Sequence, residues 1–579
     1  MTTFRALLGG NENTTEVIFD QKSSNGNHEY TSIEQLYAAL PARIQKLRPD
    51  IVGEQNSSKF CPALMENGNW LILTTPDYER SDLLETARET CSGLHELGHP
   101  PVTHIVSPTL LLTLRQTGLG LGSVTTKEEA SSYKAAFKEI VAWGIKNKAS
   151  DVTLNVSESE AQSQVHFTID GQYLAPPRWK IATQRLREIL NVAWQSNTGG
   201  AGAILSDKIE TQCRLQLQLD SGPVMCRWSG MAADRYSSVT LRLLKVDEKS
   251  VQKPLSELGW LPSTVDVFER ALRKEGGSII FAGVVNSGKT VSIASLLSLL
   301  PDTRKIISLE DPVELIIPGV IQNTITRSLE ELGKDPFIAK NLTLKRSAAN
   351  DVYLGEIRDL LTGTSFTDIT GSGTKLYSTV HATSAMQIPE RLYSESIGIP
   401  SDFLSSPGML NVLAYQALIP KLCPHCSLPS EHLELEGGFD KMERHRDGDY
   451  WKVFFNRIDK LYSIDTGLLK VRNPQGCKYC KNPELPMLGG YIGRDTATEL
   501  IEPGTDRTFL RYVKARDMLG LQDYLDDLPR TAFDDPDMTN KTIVECAVYK
   551  SLQGTFDPRD IESKTTSFES IAMTRKKAK

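Results

Sequence analysis

Residues 283–290 read Gly-Val-Val-Asn-Ser-Gly-Lys-Thr, a complete G-x-x-x-x-G-K-[ST] phosphate-binding loop. The apolar run 278–282 before it is typical of a buried strand, and residues 291–297 after it have helical spacing. A strand, a glycine-containing loop and a helix N-terminus together form an anion site, because backbone N–H groups and the helix dipole point at phosphate. The stretch therefore predicts a nucleoside triphosphate site in an α/β domain. The alternative is a chance match in a turn, and the flanking segments count against it.

The residue types inside the loop suit triphosphate binding. Lys289 is expected to reach the β- and γ-phosphates, and the Thr290 hydroxyl is expected to bind Mg²⁺. The predicted cofactors are therefore ATP and magnesium. The predicted nucleotide-binding residues are Gly283, Asn286, Ser287, Gly288, Lys289, Thr290 and Val291.

Composition narrows the class of protein. A chain of 579 residues suffices for roughly three or four domains. A net charge of −7 counts weakly against a large nucleic-acid-binding surface. The chain lacks an apolar run of about 18 residues, so no membrane span is predicted. The N-terminus has too short an apolar stretch for a secretory signal. The nine cysteines do not form a secreted disulfide framework, which together with a nucleotide site predicts a cytoplasmic location.

The order of predicted elements divides the chain into regions. Alternating strands and helices around the phosphate loop predict a parallel α/β sheet, and the region before it mixes a helix with strands. The predicted regions are an N-terminal domain without a chemical motif at 1–115, a linker at 116–130, an α+β half-domain at 131–250, a nucleotide domain at 251–415, a cysteine-bearing module at 416–503, and a helical C-terminal region with the tail at 504–579.

Three strand-like segments after the loop end in side chains suited to phosphoryl transfer. They are residues 306–314, 351–359 and 378–382. Phosphoryl transfer needs positioning and charge neutralisation more than covalent chemistry. A carboxylate at a strand end can orient the attacking water, and Glu356 fits this role, with Glu310 as a second candidate. His381 is a candidate γ-phosphate sensor, and its alternative role is that of a structural histidine.

Two C-x-x-C pairs follow, at 423–426 and 477–480. Each pair can present two thiolates to one tetrahedral ion from a tight turn. The matched pairs in a cytoplasmic chain favour zinc over redox chemistry, and His425 is a further possible ligand. The predicted zinc ligands are Cys423, Cys426, Cys477 and Cys480.

The order and spacing of these motifs resemble the secretion-superfamily traffic ATPases, the motors of type II secretion and type IV pilus assembly. The phosphate loop and the three later segments correspond in order to the Walker A, aspartate box, Walker B and histidine box of that family. The resemblance extends from about Ala149 to Arg494. It includes Gly-Tyr-x-Gly-Arg at 490–494, which in the family follows the cysteines of export and pilus-extension motors.

This resemblance implies a RecA-like parallel-sheet nucleotide domain, preceded by an α+β half-domain and carrying a zinc-binding C-terminal insert. It also implies a cytoplasmic homo-hexamer that hydrolyses ATP. Such a motor acts on an inner-membrane platform protein and is peripheral to the membrane through its partners. No direct nucleic-acid contact is expected, because the chain is acidic and lacks a basic segment interleaved with aromatic residues. Arg227 and Arg242 are similar in position to half-domain arginines that touch phosphate in the family. Their alternative role is that of surface strand residues.

Two other functions stay open at this point. One is a nucleic-acid-translocating ATPase, and the other is a nucleotide-dependent scaffold that binds ATP without cycling. The apparatus also stays open between type II secretion, a type IV pilus and a conjugation-associated pilus. One departure from the family is plain: its loop usually reads Gly-Pro-Thr-Gly-Ser-Gly-Lys-Thr, whereas Val284, Val285 and Asn286 form the middle of the loop here.

Overall fold

The computed structural model of the protein describes residues 29–577, apart from positions 32, 54–55, 58, 95–99, 109, 112–113, 115–126, 158, 196–204, 206–208, 246–252 and 326–335. The chain divides into two compact units, residues 1–128 and 129–579. Most of the predicted linker, from 116 to 126, lies outside the described residues.

The first unit is built on a small mixed sheet. Its strands β1–β4 pair in chain order, with β3 and β4 parallel and the other pairs antiparallel. Alternate residues of β3 reach two different cores: Leu71 and Leu73 pack with Leu36, whereas Trp70 and Ile72 pack with the second helix. The elements are α1 (Ile33–Ala39), β1 (Ile44–Leu47), β2 (Phe60–Met65), β3 (Trp70–Thr74), α2 (Asp82–Gly93) and β4 (Val102–Ile105).

The second unit opens with the α+β half-domain. Its sheet has the order β7-β6-β5-β11-β10-β9, with β8 added beside β6. Buried and more exposed residues alternate along β6 and β9, as expected for strands with one covered face. The elements are α3 (Lys127–Lys146), β5 (Ala149–Ser157), β6 (Gln162–Ile169), β7 (Gln172–Leu174), β8 (Lys180–Ala182), α4 (Thr183–Gln195), β9 (Thr211–Leu219), β10 (Gly222–Ala232) and β11 (Tyr236–Lys245).

A seven-stranded sheet forms the nucleotide domain, in the order β14-β13-β15-β16-β12-β17-β22. All neighbours are parallel except β17 and β22, so the predicted α/β fold with a parallel sheet is confirmed. The elements are α5 (Pro262–Arg273), β12 (Ser278–Ala282), α6 (Lys289–Leu297), β13 (Ile306–Glu310), β14 (Val320–Thr324), α7 (Pro336–Leu344), β15 (Asp351–Leu354), α8 (Leu360–Gly371), β16 (Lys375–Val380), α9 (Ile388–Tyr393), α10 (Ser401–Leu404), β17 (Leu410–Leu422) and β22 (Tyr491–Ile501).

Central strand β12 shows why this sheet needs helices on both faces. All five of its residues are buried. Ile280 packs into one core with α8, and Ile279 and Phe281 pack into another core with α5 and α6. A continuous apolar run is the pattern of a parallel strand that is covered on both sides.

The cysteine-bearing module leaves the sheet at the end of β17 and returns at the start of β22. Helix α12 (Gly448–Tyr462) packs its apolar face, including Trp451 and Phe455, into the same core as the C-terminal helices. No helix in the described ranges is long and apolar enough to cross a membrane. The remaining elements are β18 (Leu428–Pro429), α11 (Glu431–Glu436), β19 (Gly438–Phe439), β20 (His445–Arg446), α12 (Gly448–Tyr462), β21 (Lys470–Val471), α13 (Arg507–Ala515), α14 (Met518–Asp527), α15 (Ile543–Leu552), α16 (Pro558–Lys564) and α17 (Phe568–Lys577).

Candidate nucleotide site and tetracysteine cluster

The phosphate loop connects β12 to α6, and its glycines are required by the backbone. A Cβ atom at Gly283 would lie 2.4 Å from Ser287 Oγ and 2.5 Å from the carbonyl oxygen of Gln416. Gly288 has a φ of 87° at the N-cap of α6, a conformation that favours glycine. The close approach and the turn therefore explain both glycines of the motif.

Lys289 lies at the first position of α6, and its side chain turns back into the loop. Its Nζ donates hydrogen bonds to the carbonyl oxygens of Gly283, at 2.8 Å, and Val284, at 3.1 Å. Burial lowers the pKa of Lys289 to about 8, although the carboxylates of Glu356 and Glu314 oppose this shift. The ammonium group is thus held where it can meet a bound phosphate.

This pKa predicts a pH dependence of ATP binding. Only the protonated Lys289 attracts phosphate, and a bound phosphate would raise the pKa of this lysine. The affinity for ATP should therefore be constant below the pKa of Lys289 in the free protein, about 8, and should fall above it. The fall should approach tenfold per pH unit. Titration with a non-hydrolysable ATP analogue between about pH 7 and about pH 9.5 measures it. The Lys289→Ala variant should lack this fall in affinity. A wild-type affinity that does not change with pH over this range would contradict the prediction.

A cavity of about 580 Å³ lies over the loop. Most of the predicted nucleotide and catalytic residues line it, and so does Arg242 of the half-domain. Gly283 and Arg227 are not on the lining, but both contact residues that are. The predicted residues on the lining are Asn286, Ser287, Gly288, Lys289, Thr290, Val291, Glu310, Glu356, His381 and Arg242.

Glu356 and His381 meet at the carboxyl edge of the sheet, just after β15 and β16. His381 Nε2 is 3.1 Å from Glu356 Oε1, and its Nδ1 is 3.3 Å from the carbonyl oxygen of Gly283. The side chain of Glu356 is 31% exposed, and that of His381 is 47% exposed. The structure therefore brings an accessible carboxylate and a histidine together beside the loop.

Glu310 has a different environment at the end of β13. It is 3% exposed, and one of its oxygens accepts hydrogen bonds from Ser308 Oγ and Gln322 Nε2. Burial raises the pKa of Glu310, although these two hydrogen bonds oppose the shift. Glu310 is thus largely enclosed, whereas Glu356 remains open to the cavity.

Two half-domain arginines reach towards the site by different routes. Arg242 Nε is 3.3 Å from Asp151, and its Nη1 is 3.4 Å from Glu314. Arg227 Nη1 donates to the carbonyl oxygen of Asp311 at 3.2 Å. The structure brings Arg242 to the cavity. It brings Arg227 to the backbone of Asp311, the residue that follows Glu310.

Three further residues shape the site, and no sequence pattern predicts their roles. Gln416, 1% exposed, donates from Nε2 to the carbonyl oxygen of Ser287 at 2.6 Å. Arg494 donates to the carbonyl oxygen of Asn286 at 3.3 Å, and Glu314 binds Arg242. For Gln416, the sequence does offer one signal, which is a polar amide side chain within the apolar run of β17. The roles of Arg494 and Glu314 depend on partners that are far away in the sequence.

The four cysteines form a compact cluster. Their sulfur atoms all lie within 4.8 Å of one another, with separations of 3.8 Å for Cys423–Cys477 and for Cys477–Cys480 and 3.7 Å for Cys426–Cys480. A regular tetrahedron with Zn–S bonds of about 2.3 Å has sulfur–sulfur edges of about 3.8 Å. The donor set and its spacing therefore fit a tetrahedral zinc ion.

Local backbone contacts organise the cluster for thiolates. The N–H groups of Cys477 and Gly490 donate to Cys480 Sγ, and they lower the pKa of that thiol to about 7 although burial opposes the shift. His425 stacks on the ring of Tyr479, with 4.1 Å between ring centroids. The histidine thus packs beside the cluster, and the four thiols have the spacing of a tetrahedral set.

We expect purified protein to carry about one zinc ion per chain. Cys423→Ser or Cys477→Ser should remove most of the metal and lower the thermal stability of the module, because metal-binding free energy is also folding free energy there. Elemental analysis and thermal unfolding measure the two effects. Cys213→Ala, in the half-domain, is the control that should retain zinc. Protein without zinc but with a disulfide after preparation under reducing conditions would contradict the prediction.

The module also contacts the half-domain. Glu484, four residues after Cys480, accepts hydrogen bonds from Trp143 Nε1 and from Arg178 Nη1, both at 2.8 Å. Leu485 is buried in the half-domain core. The segment after the second cysteine pair therefore bridges to the domain that supplies Arg242.

A parallel α/β sheet with a phosphate loop, and with acids and a histidine on adjacent strand ends, defines a P-loop nucleotide-binding protein. The family described as "Type II/IV secretion system protein" matches residues 126–528, and the chain belongs to this family. The family resemblance inferred from the motifs is thereby confirmed.

Named relatives include proteins of type II secretion and of type IV pilus assembly. The chain is 28% identical over 361 residues to Type II secretion system protein E of Aeromonas hydrophila, covering 62% of this chain and 63% of the relative. It is 30% identical over 292 residues to Type II secretion system ATPase E of Vibrio cholerae, covering 50% and 54%. It is 26% identical over 404 residues to the Type IV pilus assembly ATPase PilB of Pseudomonas aeruginosa, covering 66% and 62%. The chain thus spans between 54% and 63% of these relatives' length.

Among solved structures, the chain is similar to the ATPase DotB of Legionella pneumophila. The TM-score is 0.45 at 15% identity, covering 74% of this chain and 95% of DotB. It is also similar to the pilus retraction motor PilT with bound ADP, with a TM-score of 0.43 at 17% identity, covering 74% and 96%.

Proposed function

We propose that the protein is a motor ATPase that hydrolyses ATP to power type IV pilus assembly or protein secretion of the type II kind. The observation that carries the proposal is the convergence of Lys289, Glu356 and His381 on one phosphate loop. Relatives named for type II secretion and for pilus assembly support the biological setting.

The chemistry assigns a role to each side chain. The loop N–H groups and Lys289 bind the triphosphate. Thr290, in a cavity rich in carboxylate oxygens, would hold Mg²⁺, which when bound neutralises charge on the β- and γ-phosphates. Glu356 orients the attacking water. His381 keeps Glu356 on Nε2, and its Nδ1 would donate to the γ-phosphate in place of its contact with the Gly283 carbonyl oxygen. The water-exposed Glu356 suits this role better than the enclosed Glu310.

The biological assembly belongs to the same proposal. We place the chain in a cytoplasmic homo-hexamer, peripheral to the inner membrane, that acts on a platform protein of the apparatus. The four thiolates of the tetracysteine cluster would hold zinc as a structural ion. Direct nucleic-acid binding is not part of the proposal, since the net charge is −7. A lack of stimulation of ATPase activity by single-stranded nucleic acid is the expected result.

Hydrolysis is expected to depend on the half-domain arginines and on assembly. Arg242→Ala or Arg227→Ala should lower the steady-state rate more than tenfold, over about 1.4 kcal/mol of barrier, because positive charge facing the transition state is lost. The ATPase rate per chain should also rise with protein concentration through the assembly range.

Phosphate release and light scattering, measured on the same samples, separate the two effects. The arginine variants should stay hexameric, and Arg235→Ala, in the exposed turn after β10, should behave as wild type. A monomer with full activity, or arginine variants with wild-type rates, would refute the motor proposal.

A further inference from the structure

Asn286 occupies the loop position at which the family usually has glycine. Its backbone has a φ of 62°, in the left-handed region that glycine and asparagine tolerate best. Position 286 thus retains a glycine-like backbone but carries an amide that a glycine lacks.

The amide is directed at the half-domain. Asn286 Nδ2 lies 3.2 Å from Asp151 Oδ2 and 3.4 Å from Ser150 Oγ. Ser150 Oγ donates in turn to Asp151 Oδ2 at 2.7 Å. Asp151 is buried near the start of β5, so the amide meets a fixed carboxylate of the other domain.

The second oxygen of the same carboxylate binds Arg242. The distance from Arg242 Nε to Asp151 Oδ1 is 3.3 Å, and Arg242 Nη1 continues to Glu314 at the cavity. On the other side, Arg494 donates to the carbonyl oxygen of Asn286 and pairs with Asp170 of the half-domain at 3.7 Å. One loop residue is therefore connected to the half-domain through its side chain and, through Arg494, by its backbone.

We propose that Asn286 is a positioning residue that couples the phosphate loop to Arg242 through Asp151. The amide docks the half-domain on the loop, and the docked Asp151 holds Arg242 at the cavity. The inference rests on the proposed ATP hydrolysis at this site. It adds a link between loop geometry and arginine placement.

Asn286→Gly tests this coupling, because it removes the amide and suits the left-handed backbone. We expect kcat to fall about tenfold, since a hydrogen bond to a charged group is lost, while the Kd for ATP changes less than threefold. Arg242→Ala combined with Asn286→Gly should be no slower than Arg242→Ala alone, because both changes act through the same group. Asn540→Gly, at a second left-handed asparagine (φ 59°) in the C-terminal region, should match wild type.

Hydrogen–deuterium exchange without nucleotide tests the contact itself. Asn286→Gly should speed exchange of the amides around Ser150 and Asp151. Asn286→Asp should do so more strongly, because two carboxylates would face each other. Adding Asp151→Asn to Asn286→Asp should restore slow exchange, since donor and acceptor are exchanged.

Unchanged exchange in Asn286→Gly, or faster exchange with wild-type kcat, would overturn the inference. So would rate losses from Asn286→Gly and Arg242→Ala that multiply in the double variant. A failure of the proposed function would look different. The wild-type protein would not turn over ATP, but hydrogen–deuterium exchange would still be faster in Asn286→Gly than in the wild type. That result would remove the catalytic coupling along with the proposed function.

Discussion

Replacing Lys289 with alanine is expected to abolish tight ATP binding and, with it, hydrolysis. The wild-type ammonium already donates to two loop carbonyl oxygens, so it can make a comparable pair of hydrogen bonds to phosphate oxygens. Hydrogen bonds to charged groups contribute about 1.5–3 kcal/mol each, so losing two costs about 3–6 kcal/mol. That loss corresponds to roughly 10²- to 10⁴-fold weaker binding.

Calorimetric titration with a non-hydrolysable ATP analogue provides the measurement. Lys345→Ala is the matched control, because Lys345 is a partly exposed lysine of the same domain that pairs with Asp368. Circular dichroism should show that both variants are folded. Binding by Lys289→Ala within tenfold of wild type would mean that the loop does not hold triphosphate in the expected way.

The phosphate loop and the three strand ends could be predicted because each is a local pattern. An apolar run followed by a polar or glycine-rich end marks a parallel strand, and parallel strands bring their carboxyl ends to one edge. Glu356 and His381 are 25 positions apart in sequence, yet this rule places them side by side beside the loop. The four cysteines gather for a related reason, since β17 and β22 pair and bring their flanking turns together.

The contacts between domains could not be predicted in this way. Asp151, Arg242 and Asn286 come from three separate segments, and their association depends on how the half-domain sits on the sheet. In the sequence, Arg494 stands out only as the last residue of the motif at 490–494, and its hydrogen bond to Asn286 follows from the return of the chain along β22. No periodicity encodes such an arrangement, because it is set by tertiary packing.

The two acids beside the loop should respond very differently to amide substitution. Glu356→Gln is expected to retain ATP binding and to lower kcat by roughly 10²- to 10³-fold, because the amide cannot accept the proton of the attacking water. Glu356 is suited to this role because its side chain is 31% exposed and lies 3.1 Å from His381 Nε2. Nucleotide affinity and single-turnover phosphate release together distinguish a loss of chemistry from a loss of binding.

Glu310→Gln is the matched control for this assignment. The Glu310 oxygen that accepts from Ser308 and Gln322 can be replaced by an amide oxygen in the same position, so the local structure should persist. The expected fall in kcat is less than tenfold, because the enclosed carboxyl is not positioned to take a proton from water. A nearly inactive Glu310→Gln beside an active Glu356→Gln would reverse the roles of the two acids. The water would then have to approach from the β13 side of the cavity, where Arg227 contacts Asp311, rather than from the side of His381.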